Sequence, residues 1–88
     1  MKRWSIIFKA FGNINRLKIV ALLFKTGELS VGEIASALKI SIKSTSKNLV
    51  LLQQLNVLDS VGRNGHVYYN MSSEMPKDIA RTLKLFTE

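Results

Sequence analysis

The stretch SVGEIASALKISIKSTSKNLVLLQQLN, residues 30–56, decides the predicted fold. Ser30 and Glu33 form a capping box, in which a hydroxyl and a carboxylate each satisfy a backbone N–H at a helix start. A short helix follows, and after a turn at Lys39-Ile40 a longer helix begins behind Ser41, a good N-cap residue. The first of these helices points Ile34, Ala35 and Leu38 inward. Two short helices joined by a tight turn predict a helix-turn-helix over residues 30–56.

The second helix of this motif divides into an apolar and a cationic face. Its core positions are Leu49, Leu52 and Leu55, and Asn56 suits the left-handed conformation that ends many helices. On the outer face, Lys43 and Lys47 are one turn apart, with Ser44 and Asn48 beside them. A face chosen only for solubility normally mixes charge signs, but no acidic residue lies between Lys39 and Leu58. The pattern therefore favours nucleic-acid contact, with Lys47 and Asn48 at base edges and Lys43 at phosphate or base.

Toward the C terminus, residues 57–71 change to β-branched and aromatic residues around Arg63-Asn64-Gly65-His66. Asn-Gly between two such runs is a strong hairpin signal. A hairpin directly after a helix-turn-helix is a wing. Arg63 near its tip is interpreted as a contact to the DNA backbone or minor groove, and the alternative is an ordinary soluble turn residue.

Toward the N terminus, Asn13 is a suitable N-cap for a helix that Thr26 and Gly27 end. The predicted apolar face of this helix consists of Ile14, Leu17, Val20, Ala21 and Phe24. Arg16 lies near the helix start. It either donates to a phosphate or pairs locally with a carboxylate, and the sequence leaves both open.

Apolar stripes also occur at both ends of the chain, on a predicted first helix over residues 1–12 and a predicted last helix over residues 74–88. Helical spacing places their large apolar side chains on one face each, too apolar to leave in water. A domain of 88 residues also gains stability from a partner subunit. We therefore expect a homodimer built from both stripes, and the alternative for the first stripe is a ligand pocket. The stripes are Trp4, Ile7, Phe8 and Phe11, and Ile79, Leu83 and Phe86.

Together these segments resemble the winged-helix repressors named after the arsenical resistance repressor. Residues 11–19 look like the opening of that family's second helix, with Asn13 where Asp is usual and Ile14 where Pro is usual. Residues 41–49 resemble its recognition helix without a gap, and residues 64–69 resemble its wing, shorter by about one residue. The resemblance implies DNA contacts from both segments, which adds the residues Ser41, Thr45, Ser46, Asn64 and His66.

The resemblance also identifies two departures. Lys39 stands where the family's turn often has Gly, a left-handed position that costs a non-Gly residue roughly 1 to 2 kcal/mol. Ser30 and Gly32 occupy the positions of the two cysteines that metal-sensing members carry. With no cysteine and His66 as the sole histidine, we expect no metal site and no cofactor. The carboxylates Glu74, Asp78 and Glu88 are interpreted as a solvated face rather than metal ligands gathered across a dimer.

Composition narrows the remaining function classes. A formal charge of +7 favours a polyanionic partner. No apolar run approaches the roughly 20 residues that span a bilayer, and no secretory signal is apparent, so we expect a cytoplasmic protein. No paired carboxylates, activated nucleophile or phosphate-binding Gly loop supports an enzyme.

The sequence thus predicts one domain over residues 1–88, mainly α with a small β-hairpin wing. Its order is four helices, two strands and a last helix. The predicted function is that of a homodimeric regulator, a repressor, that binds double-stranded DNA at a pseudo-palindromic operator. The alternative is a winged helix that mediates protein–protein contact in a larger assembly, since a fold alone does not determine function.

Overall fold

The computed structural model describes residues 12–73 together with residues 75, 81 and 85. Within this part the elements are α1 (Ile14–Thr26), β1 (Glu28–Ser30), α2 (Val31–Leu38), α3 (Ile42–Gln54), β2 (Leu58–Arg63) and β3 (His66–Met71). Arg81 and Leu85 have helical backbone conformation. The predicted stripes of Trp4, Ile7, Phe8 and Phe11 and of Ile79, Leu83 and Phe86 lie outside the described residues, as do Glu74, Asp78 and Glu88.

The predicted mainly helical architecture with a hairpin wing is confirmed. Arg63 pairs with His66 across the two-residue turn Asn64-Gly65. Both turn residues have positive φ, 51° and 80°, as the tight hairpin turn predicted from Asn-Gly requires. No helix in the described residues is long and apolar enough to cross a membrane.

A third strand, β1, was not predicted. It pairs antiparallel with β3, so the sheet has the order β1-β3-β2. Three residues are too few to show an alternating pattern, and these strand residues directly precede the helix cap that dominates the local sequence. Ser30 is both the last residue of β1 and the N-cap of α2, which ties the sheet to the helix-turn-helix.

The core forms where α1, α2 and α3 meet the inner face of the sheet. Its fully buried side chains are Ile19, Val20, Leu23, Ile34, Leu49, Leu52 and Val57, joined by Leu58 and Tyr69. The predicted core positions of α2 and α3 are confirmed, with Leu38 and Leu55 half-buried against this cluster.

The predicted apolar face of α1 was wrong in part. Ile14 is 63% exposed and Phe24 39% exposed, whereas Ile19 and Leu23 are fully buried. Apolar residues occupy most of the circumference of α1, so the periodicity could not identify the side on which the other helices and the sheet pack.

Candidate nucleic-acid interface

The turn between α2 and α3 determines how α3 is presented. Lys39 adopts the left-handed conformation expected of it, with φ 56° and ψ 44°. Its N–H donates to the Ser36 carbonyl at 3.3 Å, and the N–H of Ile40 donates to the Ala35 carbonyl at 3.1 Å. These two bonds satisfy carbonyls at the end of α2 in a Schellman arrangement. The backbone therefore reverses within three residues, and α3 begins at once.

The start of α2 is capped as predicted. Glu33 N–H donates to Ser30 Oγ at 3.2 Å, and Ser30 N–H donates to Glu33 Oε1 at 2.9 Å. The hydrogen bond from the Ser30 backbone lowers the pKa of Glu33 below its ordinary value, since it favours the ionised carboxylate. The hydroxyl of Ser30 is therefore engaged in holding the helix start.

Two residues predicted to contact DNA hold the start of α3. Ser41 Oγ accepts from the Ser44 N–H at 3.0 Å, the geometry of an N-cap. Thr45 is fully buried, and its hydroxyl donates to the Ser41 carbonyl at 2.8 Å. Thr45 therefore has no exposed surface for the predicted DNA contact, and its side chain supports the helix from within.

The outward face of α3 is cationic and polar. Lys43 and Lys47 are exposed, and Val50 and Gln54 continue their stripe at helical spacing. Val50 is 47% exposed, so this face turns away from the core along its whole length. Ser44 and Ser46 are half-buried on its flanks. The predicted cationic side of α3 is thus the side that is open to a ligand from solvent.

Asn48 does not lie on this outward face. It is 9% exposed, its Oδ1 accepts from Arg16 Nη1 at 3.2 Å, and its Nδ2 donates to the Ser44 carbonyl at 3.1 Å. Each residue turns an α-helix by about 100°, which rotates Asn48 away from Lys43 and Lys47 toward α1. This placement does not favour the predicted contact of Asn48 with base edges. Its amide joins α1 to α3.

A groove separates the first turn of α1 from the outward face of α3. Its volume is about 550 Å³, and Arg16 and Lys47 contribute the cations of its lining. Asn13 caps α1 here, with its Oδ1 accepting from the N–H groups of Asn15 at 2.8 Å and Arg16 at 3.3 Å. The positive end of the α1 dipole therefore opens on the same groove. The charges favour an anionic ligand. The other lining residues are Ser44, Asn48, Val50, Leu51 and Gln54.

On the wing, Arg63 folds back along the outer face of the sheet. Its Nη2 donates to Glu28 Oε1 in an ion pair, and its guanidinium carbon lies 4.7 Å from the centroid of the Tyr68 ring. His66 is exposed, and its ring meets the edge of Tyr68 with centroids 6.4 Å apart. Asn64 is exposed in the turn. The predicted wing residues thus lie together, but the arginine points away from the tip.

Contacts join the wing to the recognition elements. Gln53 Nε2 donates to Ser60 Oγ at 3.0 Å, linking the end of α3 to β2. Sequence reasoning missed Val50 and Gln54, which their spacing from Lys43 and Lys47 could have identified. It also missed Glu28 and Tyr68, for which the sequence gives no local signal because Glu28 and Arg63 are 35 residues apart.

The relatives of this chain with known roles are described as regulators of transcription, and the matching family model is a helix-turn-helix domain. Residues 4–59 match the family model described as the RNA polymerase III subunit RPC82 helix-turn-helix domain. The chain is 30% identical over 79 residues to the arsenic resistance transcriptional regulator ArsR1 of Pseudomonas putida, covering 90% of this chain and 62% of that protein. It is 33% identical over 72 residues to the transcriptional repressor SdpR of Bacillus subtilis, covering 82% and 79% respectively. The chain thus spans less than two thirds of the first relative's length and most of the second's.

Among solved structures, the fold resembles the homodimeric winged helix-turn-helix DNA-binding domain Mb0332 of Mycobacterium bovis, described as a possible ArsR-family regulator. The TM-score is 0.78 at 29% identity, and the match covers 94% of this chain and 73% of that one.

Proposed function

Because this chain belongs to the ArsR-type family of winged helix-turn-helix transcriptional regulators, we propose that it represses transcription by binding double-stranded DNA. The observation that carries the proposal is the outward face of α3, where Lys43 and Lys47 stand exposed on a helix anchored on its other sides. An exposed cationic helix in this motif suits the major groove, which admits one α-helix. Sequence preference then comes from base-edge contacts, and register comes from phosphate contacts.

In the proposed complex with DNA, Lys43 and Lys47 make the main contacts. Both project from the first half of α3, the part of a recognition helix that meets base edges. Arg16 and the capped start of α1 border the same groove, so a backbone phosphate beside the recognition helix finds two cations and a helix dipole there. Asn48 positions Arg16 for that contact and does not itself contact a base.

The binding species is proposed to be a homodimer. The Mycobacterium bovis domain is described as homodimeric, and the sequence predicts apolar stripes that include Phe8 and Leu83 and suit the same arrangement. Two-fold symmetry places two α3 helices in successive major grooves about 34 Å apart, which implies a pseudo-palindromic operator. Phe8→Glu is expected to dissociate the dimer. A monomer at micromolar concentration by light scattering, with mass and stability unaffected by Phe8→Glu, would exclude this arrangement.

The decisive experiment compares two charge reversals of equal size by fluorescence anisotropy on genomic promoter fragments. Lys43→Glu/Lys47→Glu alters the outward face of α3. Lys18→Glu/Lys25→Glu alters two exposed lysines that lie about half a turn around α1 from Arg16, on a side remote from the groove. We expect the first variant to lose about 100-fold or more in affinity at physiological salt and the second to lose much less.

Salt dependence completes that experiment. If roughly six phosphates are neutralised per dimer, log affinity falls against log salt with a slope near −5. Equal binding by the wild type and Lys43→Glu/Lys47→Glu, or no salt-dependent binding by either, would contradict the proposal. A promoter–reporter assay with the same variants then measures whether bound protein represses.

The proposed regulation does not use a thiolate metal sensor. Ser30 and Gly32 stand where sensing members carry cysteines, and the described residues contain no group of three or more His, Cys, Asp and Glu side chains that could hold a metal ion. We expect operator affinity to be unchanged by zinc, cadmium, nickel or arsenite at physiological levels. A metal bound with sub-micromolar affinity that shifts operator affinity more than tenfold would overturn this expectation.

A further inference from the structure

The outer face of the sheet holds a cluster of charged and aromatic side chains that the DNA-binding proposal does not use. Glu28, at the start of β1, pairs in register with Asn70 of β3, whereas Arg63 pairs with His66 at the wing tip. Residues 66 and 70 are four apart on one strand, about 13 Å along the sheet. The ion pair of Arg63 with Glu28 therefore runs diagonally across β3, away from the tip.

Two further contacts hold this arrangement in place. The guanidinium carbon lies 4.7 Å from the Tyr68 ring centroid, within the range of a cation–π contact. Asn70 Nδ2 donates to the second carboxylate oxygen of Glu28 at 3.5 Å, which orients the acceptor. Arg63 therefore lies along the outer face of the sheet, with its guanidinium over the Tyr68 ring and paired with the Glu28 carboxylate.

Building on the proposed function, we propose that Glu28 is a positioning residue that competes with the DNA backbone for Arg63. A carboxylate and a phosphate bind the same guanidinium fork, so Arg63 exchanges Glu28 for phosphate when the wing meets the duplex. The exchange is feasible because the pair is partly solvated: the side chain of Arg63 is 52% exposed and that of Glu28 32% exposed. Tyr68 keeps the arginine stem on the outer face during the exchange.

The size of the effect follows from the exposure of the pair. An exposed ion pair contributes about 0.2–1 kcal/mol, which corresponds to about a 1.5- to 5-fold change in a binding constant per wing. The wings of two subunits multiply this to about 2- to 25-fold for a dimer. Glu28→Gln keeps the shape and hydrogen-bonding oxygen of the side chain but removes its charge. We therefore expect Glu28→Gln to bind DNA more tightly by that factor.

The test is a double-mutant cycle on one promoter fragment at fixed salt. Its proteins are the wild type, Glu28→Gln, Arg63→Ala and the double variant. If Glu28 acts through Arg63, the gain from Glu28→Gln is larger in the wild-type background than in the Arg63→Ala background. An equal gain in both backgrounds reflects general charge repulsion and overturns the proposal, as does unchanged or weaker binding by Glu28→Gln.

Asp59→Asn is the matched control. Asp59 of β2 pairs with Asn70 from the other side, so it lies in the same row and on the same face of the sheet as Glu28 and is exposed. Its substitution removes an equal charge. We expect its effect on affinity to be the same with and without Arg63→Ala.

A measurement on the free protein separates this proposal from the proposed function. The Nε–Hε resonance of Arg63 should shift on Glu28→Gln and stay in place on Asp59→Asn. If the Arg63 resonance does not shift on Glu28→Gln, the ion pair between Arg63 and Glu28 is contradicted, whether or not the protein binds DNA. If the resonance responds but the wild type binds no DNA fragment, the DNA-binding function and the competition built on it both fail, and the ion pair alone stands.

Discussion

The two arginines of the candidate interface, Arg16 in the helical part and Arg63 on the wing, make opposite kinds of contact. Arg16 donates to the neutral amide of Asn48, which is 9% exposed. Arg63 donates to a full negative charge on Glu28, with both side chains open to solvent. Water screens the second pair, and removal of Asn48 removes a partly buried hydrogen bond that joins α1 to α3. Burial, more than formal charge, decides which contact holds the fold together.

The helical part of the interface is therefore preorganised in the free protein. Arg63 on the wing, in contrast, is able to exchange its partner on binding. Near α3, buried polar side chains such as Thr45 and Asn48 fix the positions of the exposed lysines. On the wing, the partners of Arg63 lie on the surface of the sheet. Substitutions in the first region should change stability and binding together, and substitutions in the second should change binding alone.

Among the substitutions that separate the two regions, Asn48→Ala is expected to have the largest effect on the free energy of unfolding. Loss of the amide removes the link between α1 and α3 and leaves Arg16 without this acceptor, at a cost of about 1–3 kcal/mol in the free energy of unfolding. DNA affinity should fall alike for all operator variants, because the amide positions Arg16 and does not contact a base. Chemical denaturation and anisotropy on a set of mutated operators measure both.

Gln54→Ala is the control for that variant, since Gln54 is exposed on the same helix. Its free energy of unfolding should stay within about 0.5 kcal/mol of the wild type. If Asn48→Ala is equally harmless, or if it changes preference among operators, the assignment of Asn48 as a structural link is wrong.

A smaller effect of opposite sign is expected for Lys39→Gly. Glycine adopts the left-handed conformation without a Cβ clash but loses more backbone entropy on folding, so the net gain is about 0.5–1 kcal/mol. Thermal unfolding should shift upward by a few degrees. Lys39→Ala removes the same charge and keeps the backbone cost, so a gain shared by both variants would point to charge and not to conformation.

For Arg63→Ala the free energy of unfolding should stay within about 0.5 kcal/mol of the wild type, because its ion pair is exposed. Binding should weaken for every sequence alike, and the slope of log affinity against log salt should become shallower by about 1 per wing. A stability loss as large as that of Asn48→Ala would erase the distinction between the two regions.

The smallest effect concerns Glu33, whose carboxylate is exposed in the capping box of α2. Its pKa is lowered in the folded protein, so its contribution to stability is present above the ordinary value of 4.5 and is lost as pH falls through the lower folded value. Glu33→Gln should remove that part of the acid-induced loss. Thermal unfolding across pH 3 to 7 checks it, and an identical acid limb in both proteins would contradict it.

The described helices and the wing could be predicted from the sequence because helix-capping and turn residues act on their own neighbours in the chain. Ser30, Ser41 and Asn13 cap helices through bonds within three residues, and Asn64-Gly65 sets a two-residue turn. The left-handed backbone at Lys39 and Asn56 was likewise expected from position. Each of these features depends on a short stretch of chain.

The features that sequence reasoning missed depend on distant parts of the chain. The placement of Asn48 required knowing on which side of α3 the first turn of α1 packs, and the partner of Arg63 lies on a strand that the sequence did not reveal. The exposure of Ile14 and Phe24 has the same origin, since α1 is apolar on several sides. Tertiary packing selects among faces that periodicity leaves equivalent.

The strand order β1-β3-β2 also bears on solubility at high concentration. Among the described strands, β3 is paired on both sides, and only β1 and β2 have an open edge that could template aggregation. The β1 edge is three residues long. The β2 edge carries the charged residues Asp59 and Arg63, which discourage the addition of a further strand. A sheet small enough to serve as a wing is in this way also protected from recruiting copies of itself into β-rich assemblies.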